Sequence, residues 1–237
     1  MKRKHSEDKD KVKLVVAEGV VERKEKNALT YMVQYSADLT NVNQLDSEML
    51  FTTCPNAKRL LISTGNKFTL FRRRNGSCTK AKTWLPSAGA NEKYKCILDG
   101  FIKANNIYIM DCIQWKGHSL ADMPFLMRMQ YFYSQLKEYT DFCNAKDQFV
   151  WYLLPYYEMK DLNTYLLNAL MPLPMNSFCT AQISTIQFSR DDLDGLLFYK
   201  INSIYKFSEN GLNLDMKWLP KDRIQWLASL LINSRVS

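Results

Sequence analysis

Arg59-Leu60-Leu61-Ile62-Ser63-Thr64-Gly65-Asn66-Lys67-Phe68-Thr69-Leu70-Phe71-Arg72 is a pair of β-branched and aromatic runs separated by Gly-Asn. Two such runs about a glycine-containing turn form a β-hairpin, because the turn needs residues able to adopt positive φ. Upstream, Met49-Leu50-Phe51-Thr52-Thr53 is a further apolar run, and Asn75-Gly76 supplies the next turn. Residues 94–102 and 107–115 flank Lys103-Ala104-Asn105-Asn106 and predict a second antiparallel pair, buried on both strands. The period then changes. Phe125, Met129, Phe132 and Leu136 fall at helical spacing within 121–139, with Pro124 in the first turn. Residues 149–154, 194–199 and 212–219 read as strands, 161–170 as a short helix capped by Asp161, and a last helix runs from the cap Asp222 to near Asn233. Strand pairs first and helices between later strands make an α+β fold, mainly antiparallel sheets with flanking helices.

The chain has 237 residues, 46% of them hydrophobic, enough to bury a core, and its 8 Gly and 7 Pro exclude collagen-like and low-complexity classes. The net charge is +8, and Asn56 to Lys82 alone holds eight basic residues and no acid. Such a run suits a polyanion, a nucleic acid or nucleotide phosphates, or else forms a solvated face; composition does not separate the two. Residues 1–26, with nine basic and six acidic side chains, predict a charged arm ahead of a domain spanning 27–237. The N-terminus has no apolar signal region, and the longest uncharged stretch, 162–189, is broken by Pro172 and Pro174, so neither secretion nor a membrane span is expected. Six scattered cysteines without C-x-x-C spacing, and only His5 and His118, predict reduced thiols, no zinc site and no cofactor. Cys96 and Cys112 fall in apolar strands and read as core.

Several motifs carry a family resemblance. Cys54-Pro55 through Lys58-Arg59-Leu60-Leu61-Ile62, Ile97-Leu98-Asp99-Gly100, the run from Asp111 to Trp115-Lys116-Gly117-His118, the helix from Arg128 to Leu136, Asp194-Gly195-Leu196-Leu197-Phe198-Tyr199 and Trp218-Leu219 together resemble the cap-binding domain of snurportin, in consistent order over residues 28–220. The resemblance implies a nucleotide-binding fold related to mRNA capping enzymes and DNA ligases. It also implies non-enzymatic binding of the 2,2,7-trimethylguanosine cap of U-type small nuclear RNA, as an adaptor for nuclear import of the ribonucleoprotein. Importin-β is then a partner, although residues 1–26 carry no evident segment for it, and the locations are cytoplasm and nucleus. By resemblance Trp218 stacks on the base, and Arg59 and Arg74 contact the triphosphate. Thr30, Tyr31 and Met32 take the place of a serine and a tryptophan that supply the second wall. Lys217 fits the ligase-type motif and is a further phosphate contact.

The chain departs from the catalytic members of the larger family. Their K-x-D-G-x-R motif attacks phosphorus with its lysine amine. With the motif's arginine laid on Arg59, Cys54 stands at the lysine, Asn56 at the aspartate and Ala57 at the glycine, and Phe101 replaces the acid expected after Asp99-Gly100. This points away from catalysis. A degenerate guanylyltransferase or ligase relative is the rival reading, and a general RNA-binding module using the basic hairpin is a third.

Cap chemistry agrees with the resemblance. Guanine methylated at N7 is cationic, so an indole gains both stacking and cation–π attraction. Two methyls on N2 remove both donors of that amine, so recognition needs an apolar wall and not a carboxylate. Asp99, Asp111 and Asp194 read either as a metal-binding carboxylate cluster or as Asp-Gly turn chemistry at strand ends, the second being preferred. His118 reads as a satisfied structural histidine and Trp115 as core.

Overall fold

The computed structural model describes residues 34–65, 67–73, 76–86, 95–138, 148–167, 174–177, 185–187, 192–206 and 212–233. The hairpin forms, but its turn lies one residue later than the expected Gly65-Asn66: Gly65 stays in the strand, in register with Phe68. β3 (Lys58–Gly65) pairs antiparallel with β4 (Phe68–Arg72), and Lys67 takes the positive φ of 68° that the tight turn requires. The remaining strands, in chain order, are β1 (Tyr35–Asp38), β2 (Met49–Pro55), β5 (Cys78–Ala81), β6 (Ile97–Lys103), β7 (Asn106–Trp115), β8 (His118–Ser119), β9 (Val150–Leu153), β10 (Tyr157–Glu158), β11 (Pro174–Ser177), β12 (Thr185–Gln187), β13 (Leu193–Lys200) and β14 (Leu212–Pro220). They make a five-stranded sheet of order β1-β14-β13-β2-β10 and a nine-stranded sheet of order β12-β11-β9-β7-β6-β3-β4-β5, with β8 appended to β7. The pairing is antiparallel apart from β1 with β14 and β7 with β9. The α+β class is as expected.

The helices are α1 (Phe125–Glu138), α2 (Leu162–Leu167) and α3 (Ile224–Asn233). None of the described helices is long and apolar enough to cross a membrane. α1 follows Pro124 and buries the predicted Phe125, Met129, Phe132 and Leu136, and also Arg128 on the same face. The expected caps Asp161 and Asp222 are not caps. α2 and α3 each begin with a 3-10 turn, and those turns are entered from Glu158 and Pro220, so both aspartates lie inside the turn.

Register sorts the five-stranded sheet into two faces. Phe51, Leu196, Phe198 and Leu219 pack on the side of α2 and α3 with Leu162, Leu166 and Leu227. Cys54, Leu197, Tyr199, Met216 and Trp218 belong to the opposite side and join the core shared with the nine-stranded sheet. Strand alternation alone produces this division.

The two Asp-Gly pairs are not strand-end turns. Asp99-Gly100 lies within β6 and Asp194-Gly195 within β13, each beside a register shift. A Cβ on Gly100 would come within 2.4 Å of the Tyr108 carbonyl oxygen, so close backbone approach, not turn geometry, demands glycine there.

Asp99 and Asp111 are in register on β6 and β7, and both are fully buried. Each has its own guanidinium. Arg59 donates Nε–H and Nη2–H to Asp99 at 2.6 and 2.8 Å, and Arg128 does the same to Asp111 at 3.0 and 2.7 Å. The Tyr205 hydroxyl adds a bond to Asp99 at 3.0 Å, the Cys112 N–H one to Asp111 at 2.8 Å, and Arg128 Nη1 reaches the carbonyls of Met123 and Ser203. Burial pushes the Asp99 carboxyl up, against the pull of the Arg59 guanidinium beside it. Two cations and two anions sum to zero, and both carboxylates are held by paired guanidinium bonds, which is what lets them stay in the interior. Replacing Arg128 by Ala strands Asp111 as an uncompensated buried charge. Arg128→Ala should cost about 3–5 kcal/mol in urea denaturation; an unchanged midpoint would show that the pair does not hold the helix.

Candidate functional site

On the inter-sheet face of the five-stranded sheet, Cys54 of β2 lies in register with Gly195 of β13, and Leu197, two residues on, with Trp218 of β14. A Cβ on Gly195 would fall 2.7 Å from Cη2 and Cζ2 of Trp218 and 2.3 Å from the Leu219 carbonyl oxygen. The benzo end of the indole therefore rests on bare backbone. Trp218 is half-buried and packs against the shared core, not fully open as a free platform would be. Backing on one side and solvent on the other is the arrangement that a stacking ring needs.

Cys54 occupies the position of the nucleophilic lysine and is only 1% exposed. Burial pushes its thiol up to about 12; Arg59 pulls the value down and Asp194 raises it, both less strongly. The group is protonated at neutral pH and shielded from reagents, the reverse of an activated nucleophile. Asp194 is the extra residue of the bulge in β13 and is exposed.

Arg59 faces the same space, but its charge is committed. Two of its three nitrogens are held by Asp99, its guanidinium lies over the Phe101 ring at 5.1 Å, and its side chain is 18% exposed. Phe101, which stands where an acid was expected, thus forms the floor under that guanidinium. A phosphate contact from Arg59 is restricted to Nη1, which makes no hydrogen bond among the described residues, and it comes without the net charge of a lone arginine.

Lys217 is in register with Phe198 and so belongs to the face that packs on α2 and α3, opposite Trp218. The structure does not bring it to the indole's side. Thr30, Tyr31, Met32 and Arg74 lie outside the described residues. His118 is exposed on β8 and is not the satisfied internal histidine expected, whereas Trp115 is fully buried and meets Phe132 edge-on at 5.0 Å. Among the described residues no three His, Cys, Asp or Glu side chains form a group able to hold a metal ion.

Sequence reading did not find Gly195 as the seat of the indole or Asp99 as the partner of Arg59. The spacing of the strands contained the first, because Gly195 and Trp218 are one hairpin apart in paired strands; nothing local to Arg59 pointed to a residue forty positions away.

Gly195→Ala should displace the indole and strain β14. The expected result is altered near-ultraviolet circular dichroism with the far-ultraviolet spectrum retained, and a stability loss of about 1–3 kcal/mol; an unaltered near-ultraviolet signal would remove Gly195 from beneath the ring. The buried thiols give a pH test. Cys54 and Cys96 are pushed by burial from 9.0 to about 12, and Cys112 well above 9.0. Between these values the unfolded chain releases thiol protons that the folded chain keeps. Stability should therefore fall as pH rises above 9, by roughly 1.4 kcal/mol per pH unit for each thiol fully in that window. A denaturation midpoint flat from pH 8 to 10.5 would contradict this.

The solved structures that the fold resembles include the ligase domain of M. tuberculosis LigD, at 11% identity and TM-score 0.48 over 81% of this chain and 60% of that one. Chlorella virus DNA ligase-adenylate matches at 12% identity and TM-score 0.48 over 81% of this chain and 67% of that one. The chain thus spans about 60% of the length of the first of these structures. In sequence, residues 32–220, which take in both sheets and Trp218, match the family described as Snurportin1, m3G cap-binding domain, and the chain belongs to that family.

Proposed function

We propose that this protein binds the 2,2,7-trimethylguanosine cap of U-type small nuclear RNA without chemical turnover, and that it serves as an adaptor for nuclear import of the ribonucleoprotein. Its RNA ligand is met in the cytoplasm and delivered to the nucleus, with importin-β as the carrier. The observation that carries the reading is the indole of Trp218 seated on Gly195 within the family-matched region, half-buried and facing the space between the sheets.

The cationic methylated base stacks on the indole, and attraction of a cation to the ring face adds to the gain, together on the order of 1–3 kcal/mol. The triphosphate bridge is met by Nη1 of Arg59 and by other basic residues of the Asn56 to Lys82 run. Protein groups near phosphate position the ligand, and the ring and its surrounding walls select it.

A non-catalytic role is supported by the thiol at the lysine position. Covalent nucleotidyl transfer requires an amine that attacks phosphorus, and a buried, protonated Cys54 offers neither that amine nor access. The rival reading, a degenerate guanylyltransferase or ligase relative, needs a different nucleophile.

Titration of intrinsic tryptophan fluorescence with trimethylated, monomethylated and unmethylated cap dinucleotides tests the proposal. Quenching that saturates for the methylated caps and is weak for the unmethylated one is expected. Trp218→Ala should weaken binding by roughly tenfold or more, the loss of one stacked base. Equal binding of all three caps would overturn base recognition. Incubation with labelled GTP or ATP and a divalent metal should leave the protein unlabelled; an acid-labile adduct would overturn the non-catalytic role.

A further inference from the structure

The hairpin β3–β4 and the edge strand β5 carry the nine-stranded sheet past the part that the rest of the molecule covers. Register identifies the side chains that share a face. Leu61, Ser63 and Gly65 oppose Arg72, Leu70 and Phe68, and Arg72 and Leu70 in turn oppose Cys78 and Lys80. Leu61 also opposes Asp99, and Arg59 opposes Phe101, so this is the face that carries the Arg59 pair. Lys82 stands two residues beyond Lys80, just past the end of β5.

Among the described residues the cover stops at β3. Leu61 is 1% and Ser63 8% exposed, and Leu61 is sealed by Tyr205 and Tyr35. One strand further out, Phe68 is 40% exposed, Arg72 and Leu70 are half-buried, and Lys80 and Lys82 are exposed. Among the described residues neither lysine has an ion-pair partner, and the whole run from Asn56 to Lys82 contains no acid. The outer part of the face therefore presents exposed lysines and one large apolar ring. From Arg72 to Phe68 it extends roughly 14 Å along β4.

We propose that this open face is a track for single-stranded RNA leading away from the capped end: Lys80 and Lys82 lie along phosphates, and Phe68 stacks on a base. The proposal rests on the cap-binding reading, because the same sheet face begins at Arg59. Positive side chains that follow a backbone, interleaved with an aromatic ring, are how proteins hold single strands without reading sequence. Edge lysines also guard a sheet against pairing with another chain. That duty accounts for Lys80 on the edge strand but not for an exposed phenylalanine on β4, which is not an edge.

The test compares three probes on the full chain by fluorescence anisotropy: a trimethylated cap dinucleotide, a capped oligonucleotide of about ten nucleotides, and the same oligonucleotide uncapped. The double variant Lys80→Glu/Lys82→Glu and the single variant Phe68→Ser are measured beside the wild type, with far-ultraviolet circular dichroism as the check on folding. The capped oligonucleotide should bind the wild type roughly tenfold tighter than the dinucleotide at low salt. The variants should lose that advantage and keep the dinucleotide affinity. Neutralising both lysines as Lys80→Gln/Lys82→Gln should lower the slope of log K against log salt by about 1.4, since each phosphate contact on a single strand contributes about 0.7. An oligonucleotide that binds no tighter than the dinucleotide, or an advantage that survives the charge reversal, overturns the track. If the wild type ignores the dinucleotide but binds the uncapped strand, and the reversal abolishes that binding, the track stands and the cap reading falls.

Discussion

Two carboxylates placed opposite each other on neighbouring strands, both out of water, set the terms for this fold. Asp99 and Asp111 could not remain ionised side by side in the interior without a guanidinium each. The guanidiniums come from different places. Arg59 arrives from the adjacent strand β3, and Arg128 from the helix α1, so satisfying the pair ties helix to sheet. The hydroxyl of Tyr205 and the carbonyl of Ser203 bring in the segment that joins β13 to β14. Tyr199, stacked on Phe125 at 4.0 Å and bonded to Gln34 at 3.2 Å, brings in β13 and the residue just before β1. Both sheets, one helix and the last hairpin thus converge on four charges that sum to zero.

That convergence determines what the nearby site has to work with. A run of basic residues in the sequence suggests an electropositive pocket, yet the innermost member of the run, Arg59, spends its charge on Asp99. Among the described residues of the run, the basic side chains that remain exposed are Lys58 at the start of β3, Lys67 in the turn between β3 and β4, and Lys80 and Lys82 at the outer edge. Next to the indole the described surroundings are therefore close to neutral, with bare backbone, a protonated thiol and a compensated arginine. On the cap-binding proposal a neutral bed suits the ring, since a fixed positive charge there would repel a cationic base.

Much of the architecture was legible. The β3–β4 hairpin, the β6–β7 pair and α1 followed from alternation, turn residues and helical spacing, because each depends on neighbours close in sequence. The short strands β1, β5 and β10 were not, having too few residues for a pattern, and the parallel contacts of β1 with β14 and β7 with β9 join segments far apart in the chain. The caps failed for a different reason: Asp161 and Asp222 satisfy the local preference, but a 3-10 turn begins at Met159 and at Lys221, before each of them, and takes over the start of each helix. In the site, Trp218 and Cys54 could be singled out from the sequence. The opposite facing of Lys217 and the burial of the Arg59 charge could not, since the first depends on pairing register and the second on a partner on another strand.

The thiol and the indole are best understood together. Cys54 and Gly195 are cross-strand neighbours, and Gly195 is the floor on which Trp218 rests, so the side chain at position 54 borders the same small volume. A lysine there would bring a long stem and a charge to be hydrated or paired, in a place where Arg59 is already a cation, and like charges at that spacing raise the cost of both. A short, uncharged thiol removes the conflict. A buried thiol at this position, in place of an amine, thus also leaves the bed beneath the ring uncharged, with the strands that carry both kept in register.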